Sequence, residues 1–174
     1  MELDRPLSSL ELTALGIILK RGPCLAHAVV TEFAGSQTFA YRSGAGSIYP
    51  LLKRLTTAGL LRLERKRYSL TDEGVAALKG WLLPPFPEAD FSTNLDVLRS
   101  RAYFLKLLSP EEIAAFVVHC RTNLEALLTS CEATRLAYEE SGDRFSEMAM
   151  IGAIRETEAR LSWIKELGER FVQS

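Results

Sequence analysis

Histidine and cysteine are scarce in this 174-residue chain, with two and three copies, and the scarcity removes several kinds of chemistry at once. Cys24, Cys120 and Cys131 are odd in number and far apart, which argues against a disulfide framework and for a reducing, cytoplasmic setting. His27 and His119 are also far apart, and the pair His119-Cys120 with Cys131 lacks zinc-ligand spacing. No metal site is therefore expected. No glycine-rich loop completes the dinucleotide-binding pattern, since Gly44-Ala45-Gly46 stops short and has no strand–helix–strand context. No serine stands in a nucleophile-elbow setting and no acid pair suggests proton transfer. An enzyme is disfavoured, and no cofactor is expected. No apolar run approaches the roughly 18 to 20 uncharged residues of a membrane span. The opening MELDRPLSSLEL has neither a basic start nor an apolar stretch, so no secretory signal is expected.

What is present points to a packed, charged domain. Hydrophobic residues make up 47% and charged residues 25%, a balance that supports a core and disfavours disorder. The net charge of −1 hides an asymmetry, because residues 1–83 carry 11 Lys and Arg against 7 Asp and Glu, and residues 84–174 carry 10 against 15. Between Arg42 and Arg67 stand seven basic residues and one acid, Glu64. Such a distribution suits a first half that faces a polyanion; a merely solvated basic face is the plain alternative.

The division between the halves falls at Leu83-Pro84-Pro85-Phe86-Pro87, where prolines stop a helix ending near Trp81–Leu83. This predicts a first domain over 1–83, a proline-rich linker over 84–93 and a second domain over 94–174. In the first, Ser8-x-x-Glu11 reads as a capping box, opening a helix that carries Leu12, Leu15, Ile18 and Leu19 on one face and ends at Gly22-Pro23. A second helix spans about Leu25 to Phe33, followed by a polar loop. A third begins near Gly46-Ser47, with Ile48, Leu51, Leu52 and Leu55 on one face, Pro50 tolerated in the first turn and Gly59 as its left-handed exit. Apolar residues then alternate on both sides of Arg65-Lys66, which predicts a small antiparallel hairpin. Thr71-Asp72-Glu73 caps a fourth helix through Trp81.

Residues 94–174 read as all-helical. One helix is expected from about Asn94 to Leu108. Ser109-Pro110-Glu111-Glu112 is a cap with proline at the first helical position, and the long helix it opens gives out near Ser141-Gly142-Asp143. A last helix, about Arg144 to Val172, places Met150, Ile154, Thr157, Leu161, Ile164, Gly168 and Phe171 at spacings of four and three, a coiled-coil-like seam.

Helix, helix, helix, hairpin, helix, with the third helix and the hairpin basic, is the order of a winged helix-turn-helix. The expected fold is therefore mainly α: a winged helix-turn-helix domain followed by an all-helical one. A DNA major groove about 12 Å wide admits one helix, and phosphate contacts need cations, which Lys53, Arg54, Arg65, Lys66 and Arg67 supply.

The segment Gly46-Ser47-Ile48-Tyr49-Pro50-Leu51-Leu52-Lys53-Arg54-Leu55, then Ala58-Gly59-Leu60-Leu61, resembles the signature of the PadR family of transcriptional regulators. Tyr68-Ser69-Leu70-Thr71-Asp72-Glu73-Gly74 resembles the family's end of wing, and Leu12 to Leu19 with Gly22-Pro23 its first helix, so the likeness covers about residues 8–83. The tail, with Ser109-Pro110-Glu111-Glu112 and Trp163, resembles the longer branch, in which a helical C-terminal domain makes the dimer. The resemblance implies a sequence-specific regulator, more often a repressor than an activator, that binds a pseudo-palindromic operator as a homodimer. It implies Ser47, Tyr49 and Lys53 facing DNA. Spacing alone says only that Tyr49 and Lys53 share one face; a half-buried core position is the alternative for Tyr49, and a solvated turn for Arg65-Lys66-Arg67. For the dimer, the seam residues Met150, Ile154, Leu161, Ile164 and Phe171 are the candidates. Trp163 and Trp81 could line a pocket for a small aromatic effector, or belong to core or interface. The competing function is a winged-helix protein–protein interaction module in a larger assembly.

Overall fold

The computed structural model describes residues 5–91 and 96–172. Contacts divide the chain into a unit over 1–92 and a unit over 93–174.

In the first unit, helix α1 (Ser9–Arg21) opens on Ser8, whose hydroxyl accepts from the Glu11 N–H while the Glu11 carboxylate accepts from the Ser8 N–H, the reciprocal box read from the sequence. Strand β1 (Cys24–Leu25) leads into α2 (Ala26–Ala34), then α3 (Phe39–Gly44), a 3-10 turn (Ala45–Ser47) and α4 (Ile48–Thr57). Gly59 exits α4 with φ +79°, and the Leu60 N–H donates to the Leu55 carbonyl, a left-handed closure of the last turn. Strands β2 (Leu61–Glu64) and β3 (Arg67–Leu70) form the hairpin, and α5 (Asp72–Leu82) follows the Thr71 cap. The core gathers Leu12, Leu15 and Ile18 of α1, Val29 and Phe33 of α2, and Ile48, Leu51, Leu52 and Leu55 of α4. A buried side chain of this size contributes roughly 1.5–3 kcal/mol, so α4 is held by its apolar underside.

Two elements of this unit differ from expectation. The polar loop after Gly35 contains α3, so the basic helix is the fourth helix and not the third. The hairpin is also not alone: β1 joins it to make a three-stranded antiparallel sheet of order β1-β3-β2, with Cys24 opposite Tyr68 and Leu25 opposite Arg67. Two residues are too few for a periodic signal, and it is backbone pairing that reveals them.

In the second unit the helix expected over 94–108 is broken. Its start, Asn94 and Leu95, lies outside the described residues; Asp96 caps α6 (Val97–Ala102), and a separate 3-10 turn spans Leu105–Leu107. Asp96 Oδ1 accepts from the Leu98 N–H at 2.9 Å and from Arg160 at 3.2 Å, which pins this short helix to the last one. Helices α7 (Pro110–Ser141) and α8 (Arg144–Phe171) form a long antiparallel pair. The seam of α8 faces α7 in the same chain. Ile154, Thr157 and Ile164 are buried, and a β-carbon on Gly168 would stand 3.1 Å from Val117 Cγ1. Ile154 and Ile164 are thus covered within a single chain. A four-and-three spacing marks an apolar seam without saying whose helix covers it.

Candidate nucleic-acid interface

Helix α4 separates its two faces sharply. Ile48, Leu51, Leu52 and Leu55 are at most 1% exposed, and Tyr49 is 55% exposed. That exposure removes the core reading of Tyr49 and leaves its ring and hydroxyl in solvent beside Lys53, one turn on. Ser47 stands at the start of α4, exposed, with its hydroxyl donating to the Gly44 carbonyl at 2.7 Å. The donor is committed to the turn, so the oxygen's remaining role toward a ligand is to accept.

Arg54 lies at the flank of the same helix and is half-exposed, with Nη2 3.4 Å from Glu11 Oε1. Glu11 itself has no exposed side-chain surface. Burial pushes its carboxyl up, but the Arg5 guanidinium and the Ser8 N–H and hydroxyl outweigh that and hold it down at about 2. It is ionised at neutral pH, and a buried charge so well partnered is an anchor rather than a liability.

The wing turns at Arg65 and Lys66, with φ of 47° and 65°, between β2 and β3 paired as Glu64 opposite Arg67. Both central residues are left-handed, the geometry of a two-residue hairpin that asparagine and glycine usually fill. Long cations there carry a conformational penalty of roughly 1–2 kcal/mol each, and such strain concentrates at functional positions. Arg67 is not at the tip. It starts β3, and its Nη1 donates to the Pro23 carbonyl at 3.1 Å, so part of its donor set braces the wing against the end of α1.

Several cationic and aromatic positions escape sequence reasoning. On α3, Phe39 is 74% exposed, and the Arg42 guanidinium stands 5.9 Å from its ring centre. Arg42 also donates to the carbonyls of Ser36 and Gln37, tying down the turn before α3. Arg5 reaches Glu11 with both terminal nitrogens at 2.9 Å. The capping box named Glu11, but Arg5 lies just before the helix and Arg54 far along the chain, and neither leaves a spacing signal.

In the second unit, Phe171 is 60% exposed, and Met150 and Leu161 are half-buried. Tyr103, Phe104, Leu107, Phe145 and Met148 are also well exposed. A cavity of about 460 Å³ lies between the 3-10 turn, the start of α7 and the end of α8, walled by Tyr103, Lys106, Ile113, Trp163, Arg170 and Phe171 among others. Trp163 thus reaches a cavity while also packing on the core of Cys120, Leu124 and Ile164; Trp81 belongs to the first unit. Burial raises the thiols of Cys24, Cys120 and Cys131, which makes them poor nucleophiles at neutral pH. Among the described residues, no three His, Cys, Asp or Glu side chains gather where a metal could sit, and no helix is long and apolar enough to cross a membrane.

Three core helices, the last of them with a cationic exposed face, and a third strand closing on a hairpin define a winged helix-turn-helix protein. The chain is similar to the negative transcriptional regulator PadR of Bacillus subtilis, with 31% identity over 106 residues that span 55% of this chain and 56% of the relative. The chain thus matches little more than half the length of that curated relative. No family model matches. The crystal structure of Bacillus subtilis PadR in complex with operator DNA superposes with a TM-score of 0.75 at 24% identity, over 94% of this chain and 99% of that one. The PadR-like regulator BC1756 of Bacillus cereus gives 0.71 at 21% identity, over 97% and 99%. The Vibrio cholerae virulence activator AphA gives 0.68 at 20%, over 91% and 95%. Aligned sequence thus likens this chain to PadR over little more than half its length, and these three solved structures share its fold over nearly the whole chain. PadR and BC1756 are described as transcriptional regulators and AphA as a virulence activator.

Proposed function

We propose that this protein is a DNA-binding transcriptional regulator that acts as a homodimeric repressor on a pseudo-palindromic operator. The observation that carries the reading is the pairing of an exposed Tyr49–Lys53 face on α4 with a wing tip that holds Arg65 and Lys66 in a left-handed conformation. Helix α4 enters the major groove with Ser47, Tyr49 and Lys53 toward base edges, and Arg54, Arg65, Lys66 and Arg67 take phosphates. A relative described as a negative regulator, and a similar fold solved with operator DNA, support this direction. The second unit supplies the dimer contact through Phe171, Met150 and Leu161 with the neighbouring exposed apolar side chains, and so sets the spacing of two α4 helices.

Binding to mixed-sequence duplex at several salt concentrations tests the core of this reading. A steep loss of affinity with salt is expected, because phosphate contacts release counterions. Salt-independent or absent binding would favour the competing use as a protein-interaction module.

Effector control rests on the cavity beside Trp163. Its aromatic walls suit a small planar ligand, and Lys106 lines it beside the Arg170–Glu166 ion pair. A similar fold has been solved with p-coumaric acid. A ligand of that class is expected to favour one dimer geometry and change operator affinity. Titration of p-coumaric acid against tryptophan fluorescence, with Trp163→Phe as control, checks it.

A further inference from the structure

We propose that Glu11 is a positioning residue for DNA binding: from beneath α4 it aims the Arg54 guanidinium at the phosphate backbone. The inference rests on the DNA-binding reading and adds to it a residue that cannot itself touch DNA favourably.

The Glu11 carboxylate is fixed without help from Arg54. Its Oε2 accepts from the Ser8 N–H, the Ser8 hydroxyl and Arg5 Nη1, each at 2.9 Å, and its Oε1 accepts from Arg5 Nη2 at 2.9 Å. Arg54 Nη2 then meets Oε1 at 3.4 Å, a longer and weaker contact than the four others. The charge of Glu11 is matched by Arg5, so Arg54 is tethered but not neutralised; the three groups together keep one excess positive charge. A guanidinium has five N–H donors in a rigid fork. Glu11 occupies one nitrogen from below, and the half-exposed remainder of the fork is left for an oxyanion. A long side chain on a helix flank otherwise loses much rotamer freedom when it takes a phosphate, and a tether fixed in the unbound protein removes part of that loss in advance.

A purely structural Glu11, serving only as the N3 half of a helix cap, makes a different prediction, because it would affect DNA binding only through folding. The sign also discriminates. Simple removal of a negative charge near a polyanion tightens binding, whereas loss of a positioning group weakens it.

The test uses the full chain and a labelled mixed-sequence duplex, since phosphate contacts need no particular sequence. Affinities of wild type, Glu11→Gln, Arg54→Ala and the double variant are measured over a salt series, with thermal melts to show that each is folded. Arg54→Ala is expected to weaken binding about three- to tenfold and lower the salt slope by about one. Glu11→Gln is expected to weaken binding several-fold with the slope retained, because the cation is still there. In the Glu11→Gln background, Arg54→Ala should then lose at least half of its effect. Tighter binding by Glu11→Gln, or an equal effect of Arg54→Ala in both backgrounds, overturns the proposal. If Glu11→Gln does not fold, Glu11→Asp draws the carboxylate back by one methylene, and the same coupling test applies to it. A wild type without salt-dependent duplex binding overturns the DNA reading itself. Salt-dependent binding that Lys66→Ala weakens, with no coupling between 11 and 54, overturns the Glu11 role alone.

Discussion

A β-carbon on Gly74 would stand 2.1 Å from the carbonyl oxygen of Leu60. The first turn of α5 thus lies directly on the backbone that leaves α4. The Thr71 N–H donates to that same carbonyl, and the Thr71 hydroxyl donates to the Gly59 carbonyl at 2.6 Å. Backbone cannot swing aside as a flexible side chain can. Gly74→Ala is expected to destabilise the protein by about 3 kcal/mol or more, read as a fall in Tm, and to disturb the seating of the wing. An unchanged Tm would mean that α5 packs less tightly than this.

The Glu11 carboxyl links stability to pH. Its pKa is about 2 in the folded protein against 4.5 ordinarily, so the unfolded chain binds the proton first. The stabilisation is fully present above about pH 4.5 and is lost as pH falls toward 2. Glu11→Gln should be less stable near neutrality by about 1–3 kcal/mol and should show a shallower acid decline in that window. Denaturant midpoints from pH 7 to pH 3 check both.

The wing tip trades stability for charge. Replacing Arg65-Lys66 by Asn-Gly gives the left-handed turn residues that adopt it readily. The variant is expected to gain about 1 kcal/mol of stability while losing about two units of salt slope on any duplex. A variant that is more stable and binds DNA unchanged would make the tip a solvated turn.

Tyr49 and Lys66 divide differently between sequence and charge. Lys66→Ala should weaken binding to operator and mixed duplex alike. Tyr49→Ala should weaken operator binding by about 1–3 kcal/mol more than mixed-duplex binding if its ring or hydroxyl touches base edges. An unchanged ratio, with folding intact, would confine Tyr49 to positioning on the sugar-phosphate wall.

The reach of sequence reasoning follows from where periodicity is written. The underside of α4 and the alternation around Arg65-Lys66 are local patterns, and both elements appear where those patterns put them. Strand β1 has two residues, and α3 spans six in a polar stretch, so neither offers enough turns or alternations to register. The same limit applies to the site. The placement of Tyr49 and Lys53 on one helix face and of Lys66 at the turn is legible from the elements that carry them, whereas Arg54 meets Glu11 across the chain, a long-range contact that no spacing records. A run of charges carries no register, and only the pairing with Glu64 and Leu25 puts Arg67 in the strand.

The seam of α8 poses the sharpest choice, because one spacing suits two structural roles. Ile164 has no exposure and packs with Cys120 and Leu124 of α7, whereas Phe171, two turns on, is 60% exposed. If Ile164 is core of one chain, Ile164→Ala leaves a cavity in the helix pair and destabilises it by about 2–5 kcal/mol, with helical signal lost on heating at lower temperature. If Phe171 belongs to the surface between copies, Phe171→Asp removes apolar contact and sets a charge in an apolar interface, so dimers weaken while the melting of isolated chains changes little. Sedimentation at several concentrations separates the two effects, and a truncation ending at Leu83 should be monomeric on the same reading. Dimers that survive Phe171→Asp with unaltered affinity would move the interface to other exposed side chains, such as Phe145 and Met148. A dimeric truncation would move it out of the second unit.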